Sequence, residues 1–375
     1  MQFIDLAAQY QHLKTRIDKR IQNVLDHGQY IMGPEVQELE EKLADYVGVK
    51  HAITCANGTD ALTLALMALN IGEGDAVMVP TFTFFASAET VAYANATPVF
   101  VDSDPSTFNM CPIDLEKRIK AVLAEGKLNL KAIMPVDLFG LPANYPEIQK
   151  IADKYNLKII EDAAQGFGGE INGKRAGSFG DIATTSFFPA KPLGCYGDGG
   201  AIFTDNDEYA ELIKSLRVHG KGADKYDNVR IGMNSRLDTI QAAILLEKLA
   251  EFPQELINRN IAAAKYEEGL SAKFNTPKVS VGYKSSWAQY TLVVDGAKHR
   301  AEVMAQLQEA GIPSVIYYGT CMHQQTAFKS ECVNADSFQV SNVLANAVFS
   351  VPMHPYIGNG AIHKTIEILS GVELS

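Results

Sequence analysis

The sequence predicts an α/β fold: a large domain with a mostly parallel sheet flanked by helices, followed by a smaller C-terminal α+β domain. Three observations carry that expectation. Short apolar, β-branched-rich runs (HAITCA, DAVMVP, TPVFVD, KAIMPV, LKIIED, ATTSFF and GAIFTD) recur up to Asp205, most of them separated by helical stretches such as GTDALTLALMALNI and NYPEIQKIADKYN. Such alternation gives parallel strands with crossover helices, covered on both faces. Beyond Asp205 the regular alternation stops, and at 375 residues the chain exceeds the size of one typical compact core.

Taken in order, QHLKTRIDKRIQNVLDHG places Leu13, Ile17, Ile21 and Leu25 at helical spacing and ends at Gly28, so it reads as an amphipathic helix with a glycine stop. PEVQELEEKLADYVG is a second helix. After the sheet, RLDTIQAAILLEKLAEF sets Leu237, Ile240, Ala243 and Ile244 along one side of a helix. Past Phe274, a strand-like WAQYTLVVD, a helix AEVMAQLQEAG and a strand-like PSVIYY form the smaller domain. The expected division is 1–250 and 251–375, with no repeat or long linker between packed domains.

Composition narrows the function. With 47% hydrophobic and 21% charged residues the chain is globular rather than disordered, and its net charge of -11 argues against coating nucleic acid or an anionic membrane. Cys55, Cys111, Cys195, Cys321 and Cys332 are odd in number and never form a CxxC pair, which suggests neither a disulfide framework nor a zinc site. A reducing cytoplasm fits best. The N-terminus lacks a signal-type apolar run, and no uninterrupted apolar stretch reaches membrane-spanning length. His51, His219 and His354 show no metal-ligand spacing and are read as packing or surface residues, so no metal is expected.

In an open parallel sheet, ligands gather beyond the carboxyl ends of the strands. Three junctions qualify. In HAITCANGTDALTLAL a strand gives way to a helix around Asn57, Gly58 and Thr59; the free N–H groups suit a phosphate, although taken alone the residues favour an ordinary N-cap by Asn57 or Thr59. In LKIIEDAAQGFGG, Glu161 and Asp162 follow a mostly apolar run, so at least one buried carboxylate needs a partner, either a structural ion pair or a functional group. In SFFPAKPLGCYGDGG, Lys191 stands between two prolines, with Phe187, Phe188 and Leu193 to lower its pKa by desolvation. It is a candidate amine nucleophile, with a surface loop lysine as the alternative. Together the junctions ask for a phosphate, a cationic ring nitrogen and an aldehyde on one ligand, and pyridoxal 5′-phosphate has all three.

The ordered motifs GTDAL, PTFTFFASAET, IIEDAAQ, SFFPAKPLGCYGDGGAIFTDN and NSRLDTIQAAIL, with FIDLAAQY and GQYIMGPEVQELE at the start, resemble the DegT/StrS family of pyridoxal-phosphate-dependent nucleotide-sugar aminotransferases across nearly the whole chain. The resemblance implies the type I fold of such enzymes and homodimers with shared active sites. It implies that Lys191 is the Schiff-base lysine, that Asp162 pairs with the pyridine nitrogen and that Gln165 approaches the ring hydroxyl. Phe84 matches the ring-stacking position, Gly58, Thr59 and Ser186 match phosphate contacts, and Asn234 matches a phosphate ligand from the neighbouring subunit. Arg236, Tyr318 and His323 fall in regions that line the sugar pocket, Arg236 reading equally as a packing or dimer contact.

The reaction implied moves the amino group of L-glutamate to a keto-sugar nucleotide in ping-pong fashion, for surface polysaccharide such as lipopolysaccharide O-antigen. KPLGCYGDGGAIFT resembles the branch that aminates C3, closest to enzymes acting on UDP-linked 3-keto-N-acetylglucosaminuronate. The alternatives are a 4-keto-sugar aminotransferase and a non-catalytic, cofactor-binding regulatory protein. Tyr317, Gly319 and Asp137 depart from residues common in the family, where His, Pro and His stand.

Overall fold

The computed structural model describes residues 1–224, 226–328 and 338–372. Two helices, α1 (Leu6–His27) and α2 (Pro34–Val47), precede the sheet region, where β1 (His51–Cys55), β2 (Asp75–Pro80), β3 (Thr97–Val101), β4 (Asn129–Ile133) and β5 (Lys158–Asp162) alternate with α3 (Gly58–Ala68), α4 (Ala86–Tyr93), α5 (Pro112–Glu125) and α6 (Tyr145–Tyr155). A small hairpin, β6 (Glu170–Ile171) and β7 (Lys174–Arg175), leads to β8 (Ile182–Ser186), β9 (Gly200–Thr204) and α7 (Asp207–Leu216). The long α8 (Thr239–Leu270) then leads into β10 (Tyr283–Lys284), β11 (Tyr290–Val293), α9 (Gly296–Glu309), α10 (Gln339–Ala347), β12 (Val348–Val351) and α11 (Asn359–Gly371).

Seven strands form one sheet in the order β1-β9-β8-β5-β4-β2-β3. From β8 to β3 every pairing is parallel, whereas β9 runs antiparallel to both β8 and β1. The two-residue period of a strand explains its two faces. Ile53, Ile182 and Ile202 pack with α3, α4 and α7 on one side, and Ala52, Ala183 and Phe203 pack with α2 and the first half of α8 on the other. The run-based reading located every strand of this sheet, and the direction of β9 is the feature that alternation of apolar runs does not encode.

Two local expectations are corrected. The α1 stripe buries Leu13, Ile17 and Val24, while Leu25 is 47% exposed. Steps of four residues overrun a 3.6-residue turn, so by the fourth position the buried face has moved back by one residue. PSVIYY contributes only an isolated bridge, Val315 to Ser350; the strand that pairs with β11 is β12, from VFSV.

The division placed at residue 250 falls inside α8, which is continuous through Pro253. Its second half supplies Ala262, Ala263, Tyr266 and Leu270 to a separate core with β11, β12, α9 and α11. Cys55, Cys195 and Cys321 are buried free thiols and Cys111 is half-buried, while Cys332 lies outside the described residues. No helix among the described residues is long and apolar enough to cross a membrane.

Candidate active site

The three junctions meet in one cavity of about 710 Å³ beyond the carboxyl ends of β5 and β8, lined by Gly58, Thr59, Asp162, Ser186, Lys191 and Tyr318 among others. Each wall has a local cause. Asn57 caps α3 by accepting from the Asp60 N–H at 2.8 Å, which leaves the Gly58 and Thr59 N–H groups without an intrahelical acceptor. Gly58 is required by close approach: a Cβ there would lie 2.6 Å from the Ser186 Cβ. The end of β8 therefore brings the Ser186 hydroxyl against the positive end of the helix.

Adjacent carboxylates have opposite fates because a strand points alternate side chains to opposite faces. Asp162 lines the cavity, its Oδ2 accepting from the Ser87 hydroxyl at 3.1 Å and its Oδ1 from the Ala164 N–H at 3.1 Å. Glu161 is fully buried and accepts from the main-chain N–H groups of Gly177, Phe179 and Gly180 at 2.5, 2.6 and 3.3 Å. Its partner is thus a turn rather than a cation. Burial pushes the Asp162 carboxyl above its ordinary range while the Lys191 charge pulls it back; burial likewise lowers Lys191, against the opposing pull of Asp162. Lys191 itself is half-buried. Phe187 and Leu193 are buried in the core behind it, whereas Phe188 is 52% exposed at the cavity wall.

Gln165 is fixed by two bonds: its Oε1 accepts from the Phe139 N–H at 2.8 Å, and its Nε2 donates to the Tyr318 hydroxyl at 2.8 Å. Phe84, 55% exposed, also lines the cavity. Three sequence-selected residues lie apart from this chain's cavity wall. Asn234 is exposed and accepts from Arg236 Nη2 at 2.6 Å, and neither residue lines the cavity. His323 is buried with Nδ1 2.6 Å from the Thr81 hydroxyl and its ring 4.5 Å from that of Phe338.

Sequence reasoning overlooked Ser87, although it sits three residues after Phe84 in PTFTFFASAET, and it overlooked Gln289 in the cavity wall, where Tyr317, noted only as a departure from the family pattern, also stands. The donor set fits pyridoxal phosphate: a helix N-terminus with a glycine cradle for the phosphate, a buried carboxylate for a ring cation, and a desolvated amine for the aldehyde. Among the described residues no group of three or more His, Cys, Asp or Glu side chains is placed to hold a metal.

Comparison with known proteins bears on the same chemistry. A model of the DegT/DnrJ/EryC1/StrS aminotransferase family matches residues 11–370. The UDP-2-acetamido-2-deoxy-3-oxo-D-glucuronate aminotransferase of Pseudomonas aeruginosa is 47% identical over 96% of this chain and 97% of its own. The crystal structure of a DegT DnrJ EryC1 StrS aminotransferase from Brucella abortus superimposes with a TM-score of 0.96 at 51% identity, covering 99% of both chains. NtdA of Bacillus subtilis, solved with its cofactor PMP bound, gives a TM-score of 0.87 at 29% identity, covering 96% of this chain and 81% of that one.

Proposed function

The chain belongs to the DegT/DnrJ/EryC1/StrS aminotransferase family and depends on pyridoxal phosphate, and from that premise we propose that it transfers the amino group of L-glutamate to C3 of a UDP-linked 2-acetamido-3-keto sugar, in the uronate form. The observation that carries this reading is the meeting of Asp162, Lys191 and the α3 N-terminus in one cavity. The 47% identity to a UDP-3-oxo-glucuronate aminotransferase over nearly the full length supports the choice of acceptor.

In this reading the bound cofactor supplies an aldehyde that takes up the amino group and a ring that withdraws electrons from it. Lys191 would hold the aldehyde end of the cofactor, and as a free amine it would move the proton away from the donor Cα. Its lowered pKa favours the free base that both tasks need. Asp162, held by Ser87 and Ala164, would pair as an anion with the ring nitrogen and keep it protonated. Gln165 would approach the ring hydroxyl and Phe84 would stack on the ring, both lining the cavity. Gly58, Thr59 and Ser186 bind the phosphate, with Asn234 of a second copy completing it.

Tyr318 and Arg236 bind the sugar, Arg236 acting across the dimer; His323 supports the pocket from behind through Thr81. The enzyme works as a cytoplasmic homodimer, divided near the middle of α8 into residues 1–250 and 251–375, and feeds surface polysaccharide synthesis. The reaction is tested by mass spectrometry of products from purified protein, glutamate and a panel of UDP- and dTDP-linked 3-keto and 4-keto sugars. A single aminated product from the UDP-3-keto-uronate is expected. Amination confined to 4-keto sugars would overturn the proposed regiochemistry.

A further inference from the structure

Asp137 stands on the turn after β4, outside every role assigned above. It is fully buried. Its Oδ1 accepts from the Ala143 N–H and from the Tyr145 hydroxyl, both at 2.9 Å, while its buried Oδ2 has no hydrogen-bond partner. A Cβ on Gly166 would lie 2.4 Å from that Oδ2 and 2.3 Å from the Asp137 Cβ, so the carboxyl fills the space that a side chain at 166 would take. Its main-chain N–H donates to the Asp162 carbonyl at 3.0 Å, tying the turn to the strand end that carries the site.

The charges around this carboxyl are unfavourable to an anion. Glu161 and Asp162 approach it from β5, and the neutral phenols of Tyr145 on α6 and Tyr283 on β10 also face it. Among the described residues no cation is paired with Asp137; Lys191 acts on Asp162, and Lys174 acts on Glu161. An ionised carboxylate here would be a buried anion without a cation and with one oxygen unsatisfied, and proton uptake removes the charge, the costlier part of that burial.

We propose that Asp137 is held as the neutral carboxylic acid and that in this form it is the positioning residue which sets the Gln165 amide and, through it, the Tyr318 hydroxyl. Oδ1 is filled by two donors, so the proton resides on Oδ2. By accepting from Ala143 and Tyr145, the acid closes the turn 137–143. That turn presents the Phe139 N–H to Gln165 Oε1, and the Phe139 ring lies parallel to Tyr318 at 6.1 Å between centroids. With Oε1 so occupied, Nε2 is the end of the amide that donates to Tyr318, and the phenol accepts there. Its own proton is thereby left for the cavity. The inference rests on the proposed cofactor site for the purpose of Gln165, and its test uses the holoenzyme without any sugar nucleotide.

Infrared difference spectra near neutral pH, wild type minus Asp137→Asn, are expected to contain one protonated-carboxyl C=O band that the variant lacks. A carboxylate band in its place would overturn the neutral-acid assignment. For positioning, the rate of the glutamate half-reaction and the visible band of the bound cofactor are compared across variants. Asp137→Asn, which keeps the shape and the acceptor oxygen of the neutral acid, is expected to stay within about threefold of wild type with an unmoved band. Asp137→Leu is expected to lose about tenfold or more and to shift the band, in line with two buried hydrogen bonds removed. Should the leucine variant not fold, Tyr145→Phe removes only one donor to Oδ1 and is expected to cost about threefold with the same direction of band shift. A folded Asp137→Leu, or failing that Tyr145→Phe, with wild-type rate and band would overturn the positioning role. Neither result bears on which sugar the enzyme aminates.

Discussion

The hydroxyl of Ser87 donates to Oδ2 of Asp162 at 3.1 Å, so the carboxylate that burial drives toward its neutral form is pulled back toward the ionised form by α4 as well as by Lys191. Removing that donor in Ser87→Ala raises the Asp162 pKa further, because a bond to the charged form is lost. The acid limb of the kcat/KM profile is expected to move to higher pH, with a loss of about tenfold below it. A pH–rate profile superimposable on wild type would remove Ser87 from the site.

Gly58→Ala forces a methyl group to within 2.6 Å of the Ser186 Cβ, an atom fixed to the β8 backbone rather than the far end of a flexible side chain. Helix α3 and β8 must separate, which moves the Gly58 and Thr59 N–H groups and the Ser186 hydroxyl out of register with a phosphate. Cofactor affinity measured by absorbance titration is expected to fall by about one to two orders of magnitude, with overpacking costing about 1–3 kcal/mol of stability. Unchanged affinity would place the phosphate elsewhere.

Glu161 and Asp162 separate stability from catalysis. Glu161→Ala leaves three main-chain N–H groups of the 177–180 turn without their acceptor and is expected to cost several kcal/mol, on the order of 1–3 for each unsatisfied donor. Asp162→Ala is expected to melt near wild type and to lose most of its activity. Thermal melts and turnover measured on both variants check this; an Asp162→Ala protein as unstable as Glu161→Ala would make both residues structural.

Lys248, on α8, is buried with no hydrogen-bond partner for its Nζ, which lies 4.7 Å above the Tyr196 ring. Burial lowers its pKa to about 8, against the pull of Glu255. Below that pH both folded and unfolded chains carry the proton and the fold bears the whole cost of a buried ammonium. Between about 8 and the ordinary lysine value of 10.5 only the unfolded chain keeps the proton, so stability rises with pH across that window. Lys248→Met is expected to be more stable than wild type near neutral pH by about 1–3 kcal/mol and to lack this rise. Denaturant melts at a series of pH values decide it, and a variant less stable than wild type at neutral pH would refute it.

The proposed sharing of each active site between two chains is tested by complementation. Lys191→Ala and Asn234→Asp homodimers are each expected to be inactive, yet random subunit exchange should restore roughly a quarter of wild-type sites, since half of the dimers are mixed and each mixed dimer holds one site free of both changes. No recovery after verified exchange would mean that Asn234 serves its own chain's site.

How much of this was legible in the sequence follows from the range of the interactions involved. The strands of the main sheet, α3 and its Asn57 cap, and the candidacy of Lys191 and Asp162 were readable because each depends on a few neighbouring residues. The antiparallel direction of β9 was not, since HAITCA and GAIFTD look alike in either orientation. The distinct fates of Glu161 and Asp162 needed the 177–180 turn, which lies far enough along the chain that no local spacing announces it. His323 was selected by its region, yet its burial against Phe338 and Thr81 is a tertiary fact. Asp137 stood out only as a departure, and what it touches depended on Gly166 passing close by.

Strand β1 is an edge strand, and β9 is its sole neighbour in the sheet. Its partner residues, His51 with Thr204 through Cys55 with Gly200, are about 150 positions apart in the chain. During synthesis at about 5–20 residues per second, β1 therefore emerges roughly 8–30 s before the strand that binds it. Throughout that interval the apolar HAITC segment lacks its sheet partner, so the contact of α3 with the end of β8 is left without the β1–β9 pair beside it. Nascent chains arrested before residue 200 are thus expected to leave the HAITC segment exposed, and cofactor capture is expected only once β9 has been made.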